Sequence, residues 1–141
     1  MENPEFEQKT FRILDSNPIS AIEPIEQGGL TPQSREDLKK LVELPLLEAC
    51  QKFFDKGIRT VFSSANKKDI EIGHAHIALD FESLSPQNKE IALSLGKEGI
   101  IHGSRIRKGI YLEIPVNEHS TIGQIKDEAL SLVDKFEDQN T

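Results

Sequence analysis

At Gly57 the spacing of apolar residues along the chain changes. Before it, Leu46, Leu47, Ala49, Cys50, Phe53 and Phe54 recur at the interval of a buried helical stripe; after it, Ile58, Thr60 and Phe62 alternate with Arg59, Val61 and Ser63. A helical period followed at once by a period of two requires a helix that hands over to a strand, and Gly57 suits the left-handed cap between them. The run Ser64-Ala65-Asn66-Lys67-Lys68-Asp69 is rich in turn formers. Beyond it the alternation resumes, with Ala75, Ile77, Leu79 and Phe81 on one side and His74, His76, Ala78 and Asp80 on the other. Two strands this close predict an antiparallel pair with one apolar face.

The flanking segments extend this frame. Ser34 caps a helix carrying Leu38, Leu41 and Val42, which Pro45 kinks or restarts. Ser85-Pro86 opens another, with Ile91, Ala92 and Leu95 turned inward and Gly96 or Gly99 as its stop. Ile106, Ile110, Leu112, Ile114 and Val116 then alternate, either as a hairpin turning at Arg107-Lys108-Gly109 or as one long strand. Thr121 and Gln124 form a capping box for a last helix faced by Ile122, Ile125, Ala129, Leu132, Val133 and Phe136. The fold expected from this order is α+β: a two-layer sandwich in which a mainly antiparallel sheet of three to five strands carries about three helices on one face.

Residues 34–141 make up that single domain. Residues 1–33 hold four of the seven prolines and the Gly28-Gly29 pair, and read as an irregular N-terminal arm, loose at its start. Its Ile13, Leu14, Ile19, Ile22 and Ile25 are too apolar for a free tail, so part of it should pack over the domain or add an edge strand.

Composition narrows the partners. A chain of 141 residues, 36% hydrophobic, closes one core, here aliphatic with seven Phe and no Trp. Its 24 acidic and 17 basic side chains give a net charge of −7. That charge repels polyanions, so nucleic acid and anionic membranes are disfavoured and another protein is the expected partner. Cys50, alone and inside an apolar stripe, reads as structural. The chain shows no apolar leader and no membrane-length apolar run, which makes the cytoplasm the expected compartment.

The chemistry concentrates on one strand face. If Ala75, Ile77 and Leu79 face the helices, His74, His76 and Asp80 share the opposite face, where Arg105, Arg107, Tyr111 and Glu113 can join them. Two functions follow. As a binding face, His74, His76, Arg107, Tyr111 and Glu113 would meet a partner protein. As a metal centre, His74 and His76 would supply imidazole nitrogens and Asp80 an oxygen, serving a small metal-dependent hydrolase.

The string His74-x-His76-x-x-x-Asp80 resembles the first metal motif of cupins, and Gly109 with Pro115 and His119 is similar to part of the second. The spacing departs after Pro115, Asn117 stands where that family has glycine, and three helices do not fit a nearly all-β barrel, so no ligand set is carried over. His102-Gly103-Ser104 and His119-Ser120-Thr121-Ile122 touch the H-x-[ST]-h pattern of two-histidine phosphoesterases, but the second copy runs into a helix cap. Ser63 to Lys68 lacks the glycines of a phosphate loop and reads as a turn with exposed lysines. The expectation is a small acidic protein-binding or regulatory module, such as an inhibitor or adaptor, with the hydrolase as the alternative; no cofactor follows from the residues.

Overall fold

The computed structural model describes residues 13–27, 30–103 and 105–140. In it the change of period at Gly57 is a junction between helix and sheet. Helix α1 spans Arg35–Leu41, capped by the Ser34 hydroxyl, which accepts from the Asp37 N–H at 3.2 Å. Pro45 starts the next helix afresh: α2 runs Leu44–Asp55 with the proline in its first turn, where a missing N–H costs nothing. Its end is a Schellman cap. Gly57 lies at φ 80°, its N–H donates to the Phe54 carbonyl, and the Ile58 N–H reaches back to Phe53.

Strands β1 (Thr60–Ser64), β2 (His74–Asp80), β3 (Lys97–Ile101) and β4 (Arg107–Pro115) form one antiparallel sheet in the order β1-β2-β4-β3. A short helix, α3 (Asp69–Ile72), lies between β1 and β2. Helix α4 (Pro86–Leu95) follows β2, capped by Ser85, and α5 (Ile122–Asp134) follows β4 behind the capping box of Thr121 and Gln124. The fold is α+β, with the helices packed against the sheet. Ala75, Ile77 and Leu79 of β2 and Ile110, Leu112 and Ile114 of β4 meet Leu46, Phe53, Ile125 and Val133 in one core. Each fully buried Leu or Ile there stabilises the fold by about 1.5–3 kcal/mol.

The N-terminal segment contributes to that core as well. Ile19 and Ile22 are buried, a 3-10 turn spans Ile19–Ala21, and Pro18 bridges to Thr121. Residues 1–12, expected to be loose, and the Gly28-Gly29 pair lie outside the described residues.

Three local expectations are corrected. β3 ends at Ile101 and β4 begins at Arg107, so Arg107, Lys108 and Gly109 are strand, and Ile106 is 71% exposed instead of packed inward. The register slips between Thr60 and Phe62, a bulge with Val61 as the extra residue, and this sends Phe62 to the face opposite Ile58. Phe81 leaves the strand for a 3-10 turn and is half-buried, with the Lys108 ammonium 4.4 Å from its ring centre.

Candidate functional site on the open sheet face

The second face of the sheet collects the polar half of the β2 and β4 alternations. Cross-strand partners share a face, and the register pairs His76 with Glu113, Ala78 with Tyr111, Asp80 with Gly109, and Lys97 with Tyr111. His74, His76, Asp80, Arg107, Tyr111 and Glu113 therefore lie on one surface, as their spacing implies. Phe62 joins them through the bulge.

At its centre three rings pack together. Phe62 lies 5.7 Å from His76 and 5.6 Å from Tyr111, and His76 lies 6.0 Å from Tyr111, at tilted or edge-on angles. Tyr111 reaches across β3 because Gly99 has no side chain: a Cβ there would sit 2.4 Å from the ring. The crowding half-buries His76. Loss of hydration lowers its pKa below the ordinary histidine value; the neighbouring His74 adds to this, while Asp69, Glu113 and Glu43 oppose it.

One end of the face is a small charge network. The Lys97 ammonium stands 3.0 Å from Glu113, and His74 Nε2 stands 3.5 Å from the other oxygen of the same carboxylate. The hydrogen bond from Lys97 holds the Glu113 carboxyl below the usual glutamate range, with His74 assisting. His74 Nδ1 is buried and has no hydrogen-bond partner among the described residues.

At the other end Asp80 and Arg107 are buried together. The Arg107 Nε–H donates to Asp80 Oδ2 at 3.0 Å, with the two side chains only 12% and 10% exposed. Asp80 Oδ1 accepts nothing among the described residues. This separates Asp80 from the histidines that were its expected partners in a metal centre. Among the described residues, no three His, Cys, Asp or Glu side chains gather as a metal site.

Other singled-out residues have structural employment. The backbone amides of the loop after Ser64 are already occupied: Ala65 N–H donates to Glu43 at 2.7 Å, Asn66 N–H to Asp69 at 2.9 Å, Lys67 N–H to the Ile22 carbonyl and Lys68 N–H to Asn66 Oδ1. Ser120 and Thr121 hydroxyls accept the N–H groups of Asn117 and Gln124, while Ser104 lies outside the described residues. Cys50 is fully buried, and burial pushes its thiol up to about 12. Sequence reasoning missed Phe62 and Lys97. The bulge brings Phe62 to this surface and the strand order brings Lys97, and neither leaves a mark in residue spacing.

Comparison with protein families, with curated proteins and with solved structures finds no match to this chain.

Proposed function

We propose that this protein is a small binding module whose open sheet face, centred on Phe62, His76 and Tyr111, docks against another protein. The observation that carries this reading is the ring cluster itself. Three aromatic side chains pack on the sheet face opposite the helical core, rimmed by His74, Lys97, Arg107 and Glu113. Protein interfaces are built this way, with aromatic residues at the centre and charged residues at the edge.

Charge supports the same reading. Glu113 is matched by Lys97 and Asp80 by Arg107, so the net charge of −7 resides elsewhere on the molecule. A partner surface with an apolar centre and a neutral or mixed rim can approach without long-range repulsion. The metal-dependent hydrolase has no comparable support, since its third ligand is committed to Arg107.

Affinity capture with paired variants tests the proposal. Wild type and Glu90→Lys, a change at an exposed site on α4, should retain the same protein from a lysate of the source cell. Tyr111→Lys, at unchanged melting temperature, should retain at least ten times less. Equal retention by all three, or no retained protein, overturns the reading.

A further inference from the structure

At the Arg107 end of the open face lies a cavity of about 360 Å³ lined by Arg59, Asp80, His102, Arg105 and Arg107. A second cavity, of about 280 Å³, is walled by Pro32, Phe54 and Ile58, and the two share Gln33 and Arg59 in their linings. One is cationic; the other is mixed, with an apolar wall at Pro32, Phe54 and Ile58 facing polar groups of Gln33, Thr60 and Asn140. A cationic pocket on a molecule of net charge −7 is not explained by solubility.

Within the cationic cavity the charges are unequal. Asp80 neutralises Arg107 by accepting from Nε, and Glu82 stands 3.8 Å from Arg105 at the rim. Arg59 has no ion pair among the described residues. Three guanidinium groups against two carboxylates leave a surplus of one positive charge, which suits a mono-anion better than a phosphate dianion. Arg107 is also held in place. Because Asp80 engages only Nε, at 3.0 Å, and the contact from Nη1 to the Arg105 carbonyl is long at 3.5 Å, the terminal nitrogens can receive a planar carboxylate. Such pre-positioning lowers the ordering cost of binding.

From this geometry we infer that the paired cavities form a binding site for a small organic carboxylate. Its head lies among Arg59, Arg105 and Arg107, and its hydrocarbon body runs past Arg59 along Pro32, Phe54 and Ile58. The inference does not depend on partner docking by the ring cluster; the site is a cleft at one end of that face, with its own ligand class.

Calorimetric titration with sodium octanoate tests it, with sodium acetate as the head alone and 1-octanol as the body alone. Octanoate should bind saturably at one site, at least ten times more tightly than either half. Arg59→Gln, a change at an exposed side chain, should weaken octanoate at least tenfold at unchanged melting temperature. Arg107→Gln should do the same, and Arg105→Gln replaces it if the loss of the Asp80 partner prevents folding. Absence of saturable octanoate binding overturns the inference. So does octanol or acetate binding as tightly as octanoate, or octanoate affinity unchanged in Arg59→Gln.

Discussion

His76 shows how a single side chain can be polar by type and yet part of a packed surface. Its ring is wedged between Phe62 and Tyr111, and the lost hydration favours the neutral form. A histidine whose folded pKa lies below its unfolded value of 6.5 is neutral in both states at higher pH and costs nothing there. As pH falls through 6.5 the unfolded chain takes up the proton first, so stability present above that value is lost on acidification. Glu113, also shifted downward, stabilises the fold above its reference value of 4.5 and loses that contribution only as pH falls below it, outside this range. Urea midpoints should therefore drop between pH 7.5 and 5.5 in wild type and drop less in His76→Phe. An equal drop in both would show that His76 is solvated.

At the scale of elements, the buried carboxylate of Glu43 fastens three segments. It caps no N–H of its own helix α2; it accepts from Ile25 N–H and Ala65 N–H at 2.7 Å each and from the Asn66 side chain at 3.0 Å. This ties the N-terminal segment and the loop after β1 to the start of α2. Glu43→Ala leaves these donors without a partner in a buried site, and should cost about 3 kcal/mol in denaturant unfolding. A loss below about 0.5 kcal/mol, the scale of an ordinary surface change, would contradict that role.

The same network marks where the sequence stops being readable. Helix caps at Ser34, Ser85 and Thr121 and the alternation of β2 are local, so spacing alone locates them. The apolar positions of the N-terminal segment are legible, but not that Ile19 and Ile22 reach the core, since the contacts that bury them come from residues distant in the chain. Glycine marks a turn and a close approach equally well, so spacing alone does not locate the hairpin turn. Gly109 is extended strand beneath Ile101, whose side chain a Cβ would meet at 2.5 Å. The bulge at Val61 inserts one residue without altering the types around it, which is why alternation alone puts Phe62 on the side of Ile58. Of the site, His74, His76, Tyr111 and Glu113 were recoverable from alternation. The separation of Asp80 from the histidines was not, because it depends on Arg107 arriving from β4.

The whole molecule divides its labour between two faces of one sheet. The helical side buries the aliphatic core, in which Phe53 and Phe136 meet edge-on at 5.3 Å. The other side sets the pairs Lys97–Glu113 and Arg107–Asp80 around an aromatic centre. Among the described residues no helix is long and apolar enough to cross a membrane. The claim that the open face is the working surface is tested most directly by hydroxyl-radical footprinting of the captured complex against the free protein. Oxidation of Phe62, His76 and Tyr111 should fall at least fivefold on complex formation, while Leu93 on the helical side, 45% exposed, should react as before. Protection of Leu93 with undiminished oxidation of the three rings would place the partner on the helices and contradict the account.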